Sequence, residues 1–181
     1  MSILSVYHVS SPEQPDKMLT HVEDIASTLA EQGVRFEHWQ AGSALAADLT
    51  DQGLIAAYQQ PIDRLMTEYG LRIVDVVRLK SEQPQAAESR IAVLDEHRCS
   101  EDQVRLFVAG RGLFSLHIGD HVYAVQCEKG DVVVIPAGTP HWFDAGEFVN
   151  LLAIRMFNSE QGRVAVSTGS DIAGKFPLLD D

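Results

Sequence analysis

Hydrophobic positions recur with a helical period near the start of the chain. Thr20 and Glu23 have the spacing of a capping box, in which a hydroxyl and a carboxylate satisfy the free N–H groups at a helix start. The apolar residues that share one face of the predicted helix are Val22, Ile25, Leu29 and Ala30. Gly33 follows them and favours a helix end. The pattern therefore predicts an amphipathic helix that closes at Gly33.

A second apolar stripe with helical spacing runs towards Gly70. Its members are Leu54, Ile55, Tyr58, Ile62, Leu65 and Met66. Pro61 lies inside this stripe and lacks a backbone N–H donor, so it predicts a kink or a division into two helices. We expect these helices to pack on the outside of a sheet.

Short stretches rich in β-branched residues dominate the chain after residue 70. Residues 71–79, LRIVDVVRL, predict a strand, and PQAAESRIAVLDEH predicts a short helix that leads to His97. Further strands are predicted at 104–109, 113–118, 121–127, 131–135, 141–144 and 149–157. Short strands separated by turns are typical of an antiparallel barrel or sandwich. The predicted fold class is mainly β with flanking α-helices.

Length and charge limit the classes of function. The 181 residues suit a single domain, with a helical N-terminal part at about 12–70 and a barrel core at about 71–160. A net charge of −12 opposes binding to nucleic acid or to an anionic membrane. No apolar run approaches the roughly 18 residues of a membrane span, and the N-terminus lacks the pattern of a secretory signal. We therefore expect a cytoplasmic protein.

Two separated segments carry candidate metal-binding chemistry. Alternate residues of a strand point to one face, so His97 and Cys99 are expected to project into the barrel together, as are Gln103 and Arg105. The segment GDVVVIPAGTPHWF has turn-forming Pro and Gly residues before His141, which would place that imidazole beside the first strand. Imidazole and thiolate groups are common metal ligands, so the sequence predicts a metal site.

Almost the full chain resembles the bacterial acireductone dioxygenases, which are cupins. The segments that carry the resemblance are RFEHWQ, DEH, VRLFVAGRGLFSLHIGD, CEKGDVVVIPAGTPHWFD and TGSDIA. The resemblance implies a cupin barrel, also called a double-stranded β-helix or jelly roll, with one Fe or Ni ion. It also implies O2-dependent cleavage of the acireductone of methionine salvage, a small anionic substrate. With iron the family yields a 2-keto acid and formate, and with nickel it also releases carbon monoxide. We further expect a monomer.

Two of the implied metal ligands differ from those of the resembled family. The family ligands are His, His, Glu and a distant His, which correspond here to His97, Cys99, Gln103 and His141. If Cys99 ionises, the total ligand charge is unchanged, because a thiolate adds the negative charge that a carboxamide removes. A thiolate is a softer donor, so metal preference is expected to move towards zinc or copper. Arg163 also departs from the family, which has Trp at that position.

Two residues are predicted to contact the substrate. Arg105 would hold a negative substrate oxygen through its planar set of N–H donors, and Phe143 would form part of the pocket wall. The alternatives are a surface ion pair for Arg105, a core position for Phe143, and a metal-free pocket in which Cys99 is a buried small residue. Two other functions therefore stay open. One is a related enzyme outside methionine salvage that performs another oxidation, an isomerisation or a cyclisation. The other is a non-catalytic cupin that binds a small molecule or metal.

Overall fold

The computed structural model describes residues 1–39 and 50–181, and these residues form a mainly β structure, as the sequence predicted. Its strands are β1 (Ile3–His8), β2 (Lys17–Leu19), β3 (Arg35–His38), β4 (Ile73–Lys80), β5 (His97–Arg98), β6 (Gln103–Gly110), β7 (Gly112–Ile118), β8 (His121–Cys127), β9 (Asp131–Ile135), β10 (His141–Asp144), β11 (Asn150–Phe157) and β12 (Val166–Ser167). The predicted strands between residues 71 and 157 are all present, and their ends differ from the predicted ones by at most two residues.

The helices of the described residues lie mostly in the first half of the chain. They are α1 (Val22–Ala30), α2 (Asp51–Ala57), α3 (Gln59–Tyr69), α4 (Pro84–Ala92) and a 3-10 helix (Ile172–Lys175). The second predicted stripe is divided into α2 and α3, as Pro61 suggested, but the division falls at Tyr58. Pro61 is tolerated in the first turn of α3, where backbone N–H groups have no helical partner.

The strands of the described residues form two sheets. A seven-stranded sheet has the order β12-β5-β10-β7-β8-β1-β2, and a five-stranded sheet has the order β3-β9-β6-β11-β4. All of their strand pairs are antiparallel. The core between the sheets includes Leu4 and Phe114 from one sheet and Phe107 and Val133 from the other. The two sheets therefore form a barrel with a packed interior.

Helices cover the outside of the five-stranded sheet. Leu54 of α2 and Ile62 and Leu65 of α3 are fully buried against outward-facing residues such as Val104 and Ile154. This apolar contact explains why the second stripe folds as helices, because burial of one apolar face stabilises a short helix more than its propensity does.

Two features of the N-terminal part were not predicted. Within residues 12–70, β2 and β3 accompany α1, α2 and α3, and β3 pairs with β9. The division into a helical part and a barrel core stays a prediction. The capping box is also absent: the N-cap of α1 is His21, which makes no side-chain cap hydrogen bond. Residues 40–49, within the predicted helical part, and Gln40 of the motif RFEHWQ lie outside the described residues.

Candidate functional site

Two histidines meet where β5 pairs with β10. The register places His97 directly opposite His141, and the centroids of the two imidazole rings are 4.5 Å apart. Both residues are buried. The two segments that carried the predicted chemistry are therefore joined by one strand pair, although His97 and His141 are far apart in sequence.

Backbone carbonyls fix the orientation of both imidazoles. Nδ1 of His97 lies 2.8 Å from the carbonyl oxygen of Asp95, and Nδ1 of His141 lies 2.8 Å from that of Thr139. A carbonyl oxygen only accepts hydrogen bonds, so each Nδ1 carries the proton and donates. In the neutral ring the lone pair is then on Nε2, which is the arrangement commonly found in histidines that bind metal.

The surroundings of His141 favour its neutral form. Burial lowers the pKa of His141 to about 4, and the nearby His97 and Arg105 act in the same direction, while the hydrogen bond to Thr139 opposes them. At neutral pH the Nε2 atom of His141 therefore has a lone pair available for a metal ion or a proton.

Both histidines line a cavity of about 500 Å³ inside the barrel. Phe107, Phe114 and Phe143 form an aromatic part of its wall, and the ring centroids of Phe114 and Phe143 are 4.5 Å apart. Phe143 thus lies where the pocket wall was predicted, whereas the neighbouring Trp142 is buried on the other side of the sheet. The catalytic role of Phe143 stays a prediction.

Arg105 brings a positive charge into the same cavity. Burial and the charge of Arg155 lower the pKa of Arg105 to about 10, so the guanidinium is still protonated at neutral pH. Its hydrogen bonds are long: Nη1 donates to Oε1 of Gln103 at 3.5 Å and to the carbonyl oxygen of Val104 at 3.3 Å. Arg105 therefore faces the interior and is not the surface ion pair that was the alternative.

Cys99 and Gln103, the other two predicted ligands, contact the segment that follows β11. β5 ends at Arg98, so the strand alternation expected to align Cys99 with His97 does not extend to it. The Sγ atom of Cys99 lies 3.9 Å from the carbonyl oxygen of Arg163, and Nε2 of Gln103 donates to that of Gly162 at 3.1 Å. Burial raises the pKa of the Cys99 thiol, although the charge of Arg105 opposes this shift.

The structure brings together His97, His141, Arg105 and Phe143 around one cavity. In residues 1–39 and 50–181 there is no group of three or more His, Cys, Asp and Glu side chains placed to hold a metal ion. The set of four metal ligands predicted from the sequence stays a prediction. Two of its members, His97 and His141, have their rings in contact.

The sequence analysis did not single out Asp75, whose carboxylate pairs with two arginines at one side of the barrel. Arg155 donates to Asp75 through Nε at 2.7 Å and also through Nη2, and Arg163 pairs with the same carboxylate at 3.1 Å. The signal was present, because Asp75 is an isolated carboxylate within a strand of β-branched residues. Its partners become evident only when β4 is paired with β11.

The two-sheet barrel with paired imidazoles opening on an interior cavity is that of a cupin. The ARD/ARD′ family model matches residues 5–165, and this chain belongs to that family. It is 61% identical to an acireductone dioxygenase of Pseudomonas fluorescens (strain Pf0-1) and 58% identical to one of Pseudomonas savastanoi pv. phaseolicola, over the full length of each chain.

A solved structure supports the same relationship. The acireductone dioxygenase from Bacillus anthracis with a cadmium ion in its active centre superposes with a TM-score of 0.81. The two proteins are 25% identical, and the match covers 92% of this chain and 98% of the other. The predicted family and cupin fold are thereby confirmed.

The helices give no indication of a membrane span. Within the described residues, none is long and apolar enough to cross a bilayer.

Proposed function

We propose that this chain is an acireductone dioxygenase, which uses O2 to cleave a small enediol substrate. The observation that carries the proposal is the 61% identity, along all 181 residues, to a protein with that activity in its name. The cavity supports it, because buried imidazoles and a guanidinium face one space large enough for a small substrate.

The imidazole pair fits one divalent metal ion. Both Nδ1 atoms donate hydrogen bonds to carbonyl oxygens, so the lone pairs of the two Nε2 atoms on these neighbouring rings are available to bind a metal ion. The cadmium in the relative from Bacillus anthracis supports a divalent ion. We propose iron or nickel on family grounds. Zinc or copper is the alternative if the thiolate of Cys99 and the amide oxygen of Gln103 also become ligands, which requires the Cys99 thiol to lose its proton and its contact with Arg163.

The protein groups have separate roles in this proposal. A bound divalent ion would act as a Lewis acid on the substrate oxygens. Arg105 donates hydrogen bonds to a negative enediolate oxygen and fixes the orientation of the substrate. Phe143 and the neighbouring aromatic rings exclude water, which strengthens the electrostatic contacts inside the cavity.

Oxygen consumption tests the proposed activity. The purified chain is loaded separately with Fe(II), Ni(II) and Zn(II) and mixed with acireductone under air in an oxygen electrode. We expect turnover with at least one metal. In His141→Ala the turnover rate should fall by at least about a hundredfold, because loss of a group that only hydrogen-bonds to a metal ligand already lowers metal affinity or activity by up to that factor. His21→Ala is the matched control, since His21 is exposed and makes no side-chain cap hydrogen bond.

Elemental analysis and a double substitution test the proposed ligands. We expect near-stoichiometric metal in the wild type and little in His141→Ala. Cys99→His combined with Gln103→Glu restores the donor types of the resembled family and should raise the affinity for iron or nickel and the turnover rate. If neither protein consumes O2 although metal is bound, the function is that of a related enzyme outside methionine salvage or of a non-catalytic binding protein.

A further inference from the structure

A second pair of histidines lies at one end of the contact between β1 and β8. His8 is the last residue of β1 and His121 is the first residue of β8, and the register places them directly opposite each other. Their ring centroids are 5.2 Å apart, with an angle of 81° between the ring planes. Both residues are partly exposed, and neither lines the interior cavity. Ions from solvent can therefore reach this pair without entering the barrel.

The spacing of the two rings fits one shared metal ion. Two imidazoles on a tetrahedral zinc ion, each with a Zn–N bond of about 2.0–2.1 Å, have ring centroids roughly 5 Å apart. The rings of His8 and His121 already have this spacing. Residues directly opposite each other on antiparallel strands have Cβ atoms about 4.5–5.5 Å apart, so the backbone itself holds the rings together. An ion would therefore bind to an arrangement that the fold has already formed.

Ser10 supports the form of His8 that binds metal. Nδ1 of His8 lies 2.7 Å from Oγ of Ser10. When the proton is on Nδ1, this nitrogen donates to the hydroxyl, and the lone pair of Nε2 is available for an ion. The longer hydrogen bond from the backbone N–H of Ser10 to Nδ1, at 3.2 Å, is then given up. The shorter contact thus fixes the orientation of the ring in the manner common for metal-binding histidines.

A carboxylate lies beside the other ring. An Oδ atom of Asp16 is 3.7 Å from Nε2 of His121, so its negative charge attracts a cation to this position. In the part of the chain that the structure describes, no three His, Cys, Asp and Glu side chains are placed to hold a metal ion. Asp16 is therefore a nearby charge, and the protein ligands are the two imidazoles.

We propose that His8 and His121 form a solvent-facing site for a divalent zinc-type ion, with water in the other coordination positions. Imidazoles favour Zn²⁺, Cu²⁺ and Ni²⁺ over Mg²⁺ and Ca²⁺, which prefer oxygen ligands. The ion links the first strand of the chain to the hairpin of β7 and β8. Two protein ligands hold an ion less tightly than a complete set, so this ion is lost when the protein is desalted. The site requires neither O2 nor the cavity and is independent of the dioxygenase function.

Equilibrium dialysis against free Zn²⁺ tests the proposal by measuring the zinc bound per chain. We expect the affinity for one zinc ion to fall by at least about tenfold in His8→Asn and in His121→Asn, because even a group that only hydrogen-bonds to a metal ligand contributes that much. His21→Asn is the matched control, since His21 is exposed and makes no side-chain cap hydrogen bond. The same losses are expected when each substitution is combined with His141→Ala, which separates this ion from any ion in the cavity.

Nuclear magnetic resonance of the wild-type protein identifies the ligands directly. In long-range ¹H–¹⁵N spectra, the Nε2 signals of His8 and His121 should shift together as Zn²⁺ is added and stay in place with the same amount of Mg²⁺. These spectra decide the question even if a variant does not fold, which far-ultraviolet circular dichroism in chelator verifies. Unchanged zinc affinity in either variant, an equal loss in His21→Asn, or a shift of one ring alone would each overturn the proposal. Neither experiment uses acireductone or O2, so this proposal and the proposed dioxygenase function fail independently.

Discussion

At the scale of single residues, Asp144 links three parts of the chain through one buried carboxylate. Arg90 of α4 donates to it at 2.7 Å, and the backbone N–H groups of Gly146 and Leu179 donate at 3.0 Å. Burial alone would raise the pKa of Asp144, but these hydrogen bonds and the charge of Arg90 outweigh burial and lower the pKa below its usual 3.8. The carboxylate therefore stabilises the fold in its ionised form.

Substitution of Asp144 should destabilise the protein in a manner that depends on pH. At pH 7, Asp144→Asn is expected to lower the free energy of unfolding by about 3 kcal/mol, because it leaves Arg90 half-buried without its partner. Since the folded-state pKa is below the unfolded one, the wild-type advantage is complete above pH 3.8 and is lost as the pH falls through the folded value.

Urea unfolding at several pH values measures this effect. Asp171→Asn is the control, because Asp171 is exposed and its ion pair with Lys175 is long, at 3.7 Å. Equal losses of stability in the two variants, or a loss that does not shrink at low pH, would contradict the assigned role of Asp144.

The residues of the cavity show which positions could be predicted from spacing, while their chemical roles stay predictions. His97 and His141 lie together because each is in a short strand next to predicted turns, and Phe143 is two residues after His141 in β10. Cys99 was aligned with His97 by strand alternation, but residues 99–102 leave the strand between β5 and β6. The partners of Gln103 and Arg163 depend on a turn after β11, and such long-range contacts have no local sequence signal.

At the scale of secondary structure elements, the strands of the barrel were predictable and those of the N-terminal part were not. Between β6 and β11 the strands are short, rich in β-branched residues and separated by turns. β1 and β3 lie next to the helical pattern of α1, and their strand character depends on pairing with β8 and β9. Strand propensity reflects such tertiary packing more than the strand's own residues.

Gly110, at the end of β6, allows a close approach between β6 and β11. Its φ is +78°, and a Cβ atom there would lie 1.7 Å from the carbonyl oxygen of Asn150. Gly33 has the same φ, but a Cβ atom there would meet nothing within 4 Å. Comparison of a substitution at the two glycines therefore separates the free-energy cost of the left-handed backbone from that of the steric contact.

Alanine substitution at both glycines should give different losses of stability. Gly33→Ala is expected to cost about 1–2 kcal/mol, from the left-handed backbone alone. Gly110→Ala should cost about 1–3 kcal/mol more, because the backbone of β11 must shift to make room. Urea unfolding of both variants provides the comparison, with far-ultraviolet circular dichroism to verify folding. Equal costs would show that the strands separate without penalty.

At the scale of the whole molecule, the net charge opposes self-association of the chain at neutral pH. The net charge of −12 and an isoelectric point of about 4.9 make neighbouring molecules repel one another at neutral pH. The large exposed apolar side chains, such as Ile91 and Phe148, have to overcome this repulsion before they can support association. Lowering the pH towards the isoelectric point removes the repulsion and leaves those contacts in place.

We therefore predict a monomer at pH 7 that associates as the pH approaches 4.9. Size-exclusion chromatography with multi-angle light scattering should give a mass near 19.9 kDa at pH 7 and a larger mass near pH 5. Circular dichroism at the lower pH distinguishes association of the folded protein from acid unfolding. A run at pH 7 in about 1 M salt, where the Debye length is roughly 3 Å, screens the repulsion without changing protonation. Twice the chain mass at pH 7 in low salt would contradict the prediction, because a specific interface would then outweigh the charge.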